Sequence, residues 1–181
     1  MASRDPTHLV WLDLETTGLD PESAVILEIA TLVTDKTLSA IVEGPSLVIH
    51  QSDAALASMD PWCSKQHGRS GLLDEVRRST VDLASAEAQT LAFVAAHCPP
   101  QRCPLCGNSI CFDRRFLIRH MPALNAHLHY RNVDVTSIKE LVARWVPNRR
   151  APEKASRHRA SSDIHESLDE LIHYRKSFFG A

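Results

Sequence analysis

Four carboxylates and one histidine in this chain are of types that could hold divalent cations and move a proton: Asp13, Glu15, Asp113, His158 and Asp163. Asp13 and Glu15 sit in the run His8-Leu9-Val10-Trp11-Leu12-Asp13-Leu14-Glu15, which reads as a strand closed by the turn signal Thr16-Thr17-Gly18. Alternation along a strand turns both carboxylates to one face. Two like charges at the end of a buried strand are costly unless a positive charge lies between them. An oxygen-only donor set favours a hard ion, Mg²⁺ or Mn²⁺. The plainer alternative is one carboxylate capping a turn and the other solvated. Asp113 lies in the first turns of a helix and Asp163 opens another, where a negative charge stabilises by about 0.3–1 kcal/mol with no metal at all. His158, five residues before Asp163, titrates near neutrality and suits a general base, or else is a solvated loop histidine.

The elements that must position these residues follow from patterning. After the first strand, residues 25–34 form a largely apolar second strand, and residues 37–50 a third with a bend at Gly44-Pro45. Three strands without intervening helices predict an antiparallel meander. Short helices are expected at 54–59 and 61–68, the second opening on Pro61, and a longer one at 82–97. Residues 105–108 predict a strand leading into a helix at 109–120 that stops before Pro122. A fifth strand at 132–135 leads into a helix capped by Thr136 or Ser137 and running to Trp145. Residues 147–157 read as a Pro- and Arg-rich loop, and residues 161–178 as the last helix. The result is an α/β fold with a mixed five-stranded sheet flanked by helices. One domain is expected over 8–179, with 1–7 as an N-terminal tail.

Composition narrows the class. The chain has 181 residues, 44% hydrophobic and 23% charged, as for a globular protein with a real core. No apolar run reaches membrane length and the polar start is not a signal peptide, so a cytoplasmic location and no membrane association are expected. A net charge of −2 argues against a broad grip on long nucleic acid but leaves a short one open. Arg114-Arg115, Arg149-Arg150 and residues 154–159 could supply local positive charge, or be solvated faces. Five cysteines, an odd number, predict reduced thiols. Cys103-Pro104-Leu105-Cys106 has zinc-knuckle spacing. A strand running into a helix around Cys106 would aim the sulfurs of Cys98, Cys103, Cys106 and Cys111 apart, which favours buried small hydrophobes over a zinc site.

Three motifs together resemble the DEDDh branch of the 3′-to-5′ exonucleases, which have an RNase-H-like fold. They are Asp13-Leu14-Glu15-Thr16-Thr17-Gly18, the stretch Asn108 to Phe116 around Asp113, and His158-Arg159-Ala160-Ser161-Ser162-Asp163. Within that group the segments Trp11 to Glu15, Ile29 to Asp35, His50 to Asp53, Cys106 to Ser109 and His129-Tyr130-Arg131-Asn132-Val133-Asp134-Val135 are similar to the oligoribonuclease family. The resemblance covers residues 8–179. It implies a homodimer that removes nucleotides from the 3′ end of very short oligoribonucleotides, dinucleotides in particular. It further implies that Asp13, Glu15, Asp113 and Asp163 hold two divalent ions (Mg²⁺ or Mn²⁺) and that His158 activates the attacking water. Leu19 would wedge between bases, and Trp62 and His67 would line the base and phosphate side. Ser109, Thr136 and Ser137 would contact the closing phosphate, with Thr17, Gly18 and Asn108 also at the substrate. Tyr130, as an active-site residue, and Arg131 would arrive from the partner subunit. The residues alone leave plainer roles open: turn packing for Leu19, core for Trp62, and a buried core tyrosine for Tyr130. A nuclease acting on longer strands and an inactive nucleic-acid-binding scaffold are the rival readings.

Overall fold

The computed structural model describes residues 4–146 and 159–179. Its five strands are β1 (Leu9–Thr16), β2 (Ile26–Thr34), β3 (Ile41–Val48), β4 (Leu105–Gly107) and β5 (Asn132–Asp134), in the sheet order β3-β2-β1-β4-β5. The β1–β2 and β2–β3 pairs are antiparallel, and β1–β4 and β4–β5 are parallel. The expected meander and the mixed sheet are both present.

Burial explains the layering. All nine residues of β2 are buried, the signature of a strand covered on both faces. Val10, Leu12 and Leu14 of β1 join the core on one face with α4 (Leu83–His97), α5 (Cys111–His120) and α6 (Pro122–His127). Trp11 lies on the other face with α7 (Val135–Trp145) and α8 (Ala160–Phe178). By strand alternation, Asp13 and Glu15 share the face of Trp11, beneath α8. α1 (Asp53–Ala57), α2 (Pro61–Ser70) and α3 (Leu72–Arg78) fill the long connection between β3 and α4.

Several boundaries differ from the sequence reading. α3 was not expected, because just two of its residues, Leu72 and Val76, are buried, and Gly71, at φ +79°, both ends α2 and starts α3. α6 was missed because Pro122 ends one helix and stands at the first position of the next. β3 starts at Ile41, since residues 35–40 form a turn in which the Asp35 carboxylate accepts from the Ser39 and Ala40 amides. The bend expected at Gly44-Pro45 is present inside β3: the register with β2 shifts there, Glu43 lying opposite Leu32 and Ser46 opposite Ala30, an irregularity on an edge strand that accommodates proline. α7 is capped by Asp134, not by Thr136 or Ser137: the Asp134 carboxylate accepts from the Thr136 amide at 2.9 Å. Residues 4–7, expected as part of a tail, are tied down, with the Asp5 amide donating to the His97 carbonyl at 3.1 Å.

Three of the four clustered cysteines are buried small hydrophobes, as expected, and the fourth is not. Cys98, Cys103 and Cys106 are buried and Cys111 is exposed. The Cys103 thiol donates to the Asp5 carbonyl at 3.3 Å and the Cys106 thiol to the Pro104 carbonyl at 3.5 Å.

Candidate active site

The site forms where β1 outruns its parallel neighbour. β4 pairs with β1 at Val10 and Trp11 and ends at Gly107, where an added Cβ would lie 3.0 Å from the Leu12 carbonyl oxygen. That close approach needs glycine. Past it, the β1 edge is taken by a side chain: Asp113, from the first turn of α5, accepts from the Leu14 amide at 3.0 Å. Asp113 is therefore fixed beside the backbone that joins Asp13 to Glu15.

Asp13, Glu15 and Asp163 converge, each offering a carboxylate oxygen within 4.8 Å of the others. Asp163 comes from the first turn of α8. The electrostatic result is severe. Desolvation pushes Asp13 well above the usual carboxylate range, reinforced by repulsion from Asp113, Glu15 and Asp163. Glu15 is raised to about 8, first by desolvation, then by Asp163, Glu28 and Asp113, with Arg159 opposing. Asp113 is also raised to about 8 by desolvation, against the pull of the Leu14 amide. An all-oxygen carboxylate set of this kind would hold a hard divalent ion. The residues fit such an ion.

His67, which the resemblance puts on the base and phosphate side of a pocket, is 2% exposed. Its Nε2 lies 2.9 Å from the Thr16 carbonyl oxygen and its Nδ1 3.7 Å from Glu15, so it braces the end of β1. Thr17 is buried, accepting from the Val25 amide through its hydroxyl at 2.9 Å. With Gly18 and Leu19 it lines a cleft of about 530 Å³ that Ser58 and Asp60 close opposite. Leu19 is 74% and Trp62 59% exposed, so neither is core. Trp62 is displayed at the start of α2, where Asp60 accepts from the Trp62 and Cys63 amides.

Ser109 and Thr136 meet where α5 and α7 begin. The Ser109 amide donates to Thr136 Oγ1 at 2.9 Å and to Asp134 at 3.0 Å, and the two hydroxyls are 3.2 Å apart. Ser109 holds φ +50° to do so, an unusual conformation for a residue with a Cβ. Ser137 is exposed in the first turn of α7. Asn108 points inward, donating to Ser167 at 2.9 Å and to the buried Glu170 at 3.2 Å while accepting from Thr136 at 3.3 Å. It braces the hydroxyl pair. Tyr130 and Arg131 stand outside this cluster, on the exposed turn between α6 and β5, and Tyr130 is 74% exposed. His158 lies outside the described residues.

Sequence reasoning overlooked Glu28 and Arg159. Glu28 is 1% exposed in β2, directly across the ladder from Glu15. Arg159 forks onto it, Nε and Nη2 donating at 3.0–3.3 Å, and also donates to Glu75 at 2.7 Å. The Ala160 amide donates to the same Glu28 carboxylate at 3.1 Å, pinning the start of α8 and with it Asp163. A charge in the middle of an otherwise apolar strand was the available signal.

Comparison with known proteins agrees with this architecture. The exonuclease family model RNase_T matches residues 10–171. An oligoribonuclease of Pseudomonas aeruginosa is 54% identical over 176 residues, covering 97% of this chain and 98% of that protein. One from Thiobacillus denitrificans is 53% identical over 178 residues, covering 98% of each. Among solved structures, an Escherichia coli exonuclease I–single-stranded DNA complex superposes with a TM-score of 0.74 at 16% identity over 95% of this chain. Exonuclease I from Methylocaldum szegediense superposes with a TM-score of 0.71 at 17% identity over 94%. This chain spans about two-fifths of the length of both, 41%, and the likeness concerns the fold. No helix among the described residues is long and apolar enough to cross a membrane. By family model and by near full-length identity, the chain belongs to the exonuclease family and, within it, to the oligoribonucleases.

Proposed function

We propose that this chain is a 3′-to-5′ exoribonuclease that degrades very short oligoribonucleotides, dinucleotides above all, to mononucleotides. It acts in the cytoplasm as a homodimer, each subunit a single exonuclease domain over 8–179. The observation that carries the reading is the convergence of Asp13, Glu15 and Asp163 within 4.8 Å, beside a fixed Asp113, in a chain so similar to oligoribonucleases.

These four carboxylates would hold two divalent ions, Mg²⁺ or Mn²⁺. Bound there, the ions supply Lewis-acid chemistry, acidifying the attacking water and neutralising charge on the scissile phosphate. The protein's own groups do the rest. The Leu14 amide holds Asp113 in place, and His67 braces the Thr16 carbonyl beside Glu15. Arg159 and Glu28 fix the end of α8 that carries Asp163. His158 takes the proton of the attacking water, its usual pKa lying near operating pH. Exposed Leu19 and Trp62 offer apolar faces to bases whatever the sequence. Hydroxyls of Ser109 and Ser137, backed by Thr136 and Asn108, grip a terminal phosphate with Arg131, which closes the site to longer chains. Tyr130 and Arg131 come from the partner subunit; the exposure of Tyr130 in the single chain supports this.

Single-turnover cleavage of 5′-labelled RNAs of two to about seven nucleotides, with Mn²⁺ and then with EDTA, tests the reading. A sharp dinucleotide preference abolished by EDTA is expected. Rates flat or rising with length would point to a general exonuclease. Cleavage surviving EDTA would contradict the metal mechanism, and absence of cleavage would favour a binding scaffold.

A further inference from the structure

We infer that Arg114 is a positioning residue that acts across the subunit boundary, holding the turn His129-Tyr130-Arg131 in shape for the partner's active site. The inference rests on the proposal above that Tyr130 and Arg131 act in trans.

Arg114 follows Asp113 in α5, yet its side chain turns away from the carboxylates. Its Nη1 donates to the His129 carbonyl at 2.7 Å and to Asn132 Oδ1 at 2.9 Å, while Nε donates to Asn125 Oδ1 at 3.1 Å. One guanidinium thereby ties α5 to α6, to the turn and to the first residue of β5. The part-buried charge faces neutral oxygens, and none of the ion pairs among the described residues involves it. Burying a guanidinium against neutral acceptors is an expensive way to brace a loop, and it is suited to a turn whose shape must be kept. A planar fork with fixed donor directions does what a lysine could not.

The turn is otherwise built from its own side chains. The His129 and Tyr130 rings stack at 4.5 Å, the Arg131 amide donates to His129 Nδ1 at 3.0 Å, and Arg131 Nε donates to the Tyr130 hydroxyl at 3.0 Å. From behind, the His129 amide donates to the Cys103 carbonyl. Arg114 and Tyr130 line the same cleft of about 480 Å³. The outward face of the turn is Tyr130 itself, so any shift of the His129 carbonyl moves the residue proposed to reach the other subunit. A displacement of about 1 Å at such a contact can lower a rate by about 10²-fold.

The location beside Asp113 allows a sharp test, because a defect within the same chain and a defect delivered to the partner behave oppositely in mixed dimers. Arg114→Met is expected to lower kcat/KM for a dinucleotide by about 10²-fold, and Arg114→Lys by less. Mixed with Asp113→Ala, itself inactive, either variant should regain activity, with hybrids confirmed by two affinity tags. In the hybrid, intact carboxylates of the Arg114 variant meet an intact turn from the Asp113→Ala subunit. Tyr130→Ala mixed with Asp113→Ala is the control. If the control recovers and the Arg114 variants do not, Arg114 acts on its own chain and the inference is overturned. If neither recovers, the trans contribution itself fails and takes the inference with it. Should Arg114→Met not fold, Arg114→Lys carries the same comparison, and full activity in Arg114→Lys would equally overturn it.

Discussion

Glu15 and Glu28 face each other across the β1–β2 ladder, at neighbouring points on one face of one sheet, and the protein treats them oppositely. Glu28, almost fully buried, receives the Arg159 fork and the first amide of α8. Glu15 is placed against Asp13 and Asp163, with Asp113 close behind and a histidine ring at 3.7 Å. The Arg159 charge lies near enough to lower the Glu15 pKa somewhat, yet desolvation and three carboxylates outweigh it. The fold thus had an arginine to spend at this end of the sheet and committed it to Glu28. A carboxylate that must hold helix α8 in place is balanced within the protein. The carboxylates of β1 and the one that α8 brings to them, Asp163, are left to be balanced from outside, which is how a cation site differs from a structural ion pair.

That contrast can be broken from either side. The largest effect is expected in the catalytic half: Asp163→Asn should reduce turnover by about 10³-fold, several kcal/mol of lost transition-state stabilisation. It should at the same time raise the melting temperature of the metal-free protein by relieving repulsion. A fall in both would make Asp163 a structural residue. In the other half, Arg159→Met should destabilise by about 3–5 kcal/mol by stranding Glu28 in the interior, as read from urea unfolding. Unchanged stability would mean that Glu28 does not hold α8.

The two halves should also separate by pH. A carboxyl whose folded pKa lies above its unfolded value makes the folded state bind more protons between the two, so stability falls as pH rises through that window. For Glu15 the window runs from about 4.5 to about 8, and Asp113 is raised to about 8 as well. Metal-free protein should therefore lose melting temperature between pH 5 and pH 8, and saturating Mg²⁺ should flatten that slope. Equal slopes with and without metal would sever the raised pKa values from ion binding. The smallest effect is expected away from the charges: Leu19→Ala, at an exposed position, should raise KM for a dinucleotide by about three- to tenfold and leave the fold unaltered. An unchanged KM would reduce Leu19 to a turn residue.

What could be read in advance divides along similar lines. The meander followed from local apolar patterning, whereas the sheet order β3-β2-β1-β4-β5 was not read in advance; the carboxylates that converge were visible because Asp13 and Glu15 share one face of a strand while Asp163 opens a helix. The convergence within 4.8 Å was not visible, since it depends on how far α8 is drawn over β1, and that is set by Arg159 meeting Glu28 and Glu75 from positions 131 and 84 residues away. Asn108 and His67 were assigned to the substrate through the family resemblance alone. In the structure their side chains reach Glu170 and the Thr16 carbonyl, contacts that backbone periodicity does not encode. α3 and α6 escaped for a simpler reason: a glycine and a proline each serve two helices at once.

The central claim is that Asp13, Glu15 and Asp163, with Asp113, form a site whose charge is completed by divalent cations. Calorimetric titration of the metal-free full chain with Mn²⁺ at pH 7, in two buffers of different ionisation enthalpy, tests it most directly. Saturable binding with release of protons, lost in Asp163→Asn and retained in Leu19→Ala, is the predicted result. Absence of binding, or binding that releases no protons and survives Asp163→Asn, would contradict it.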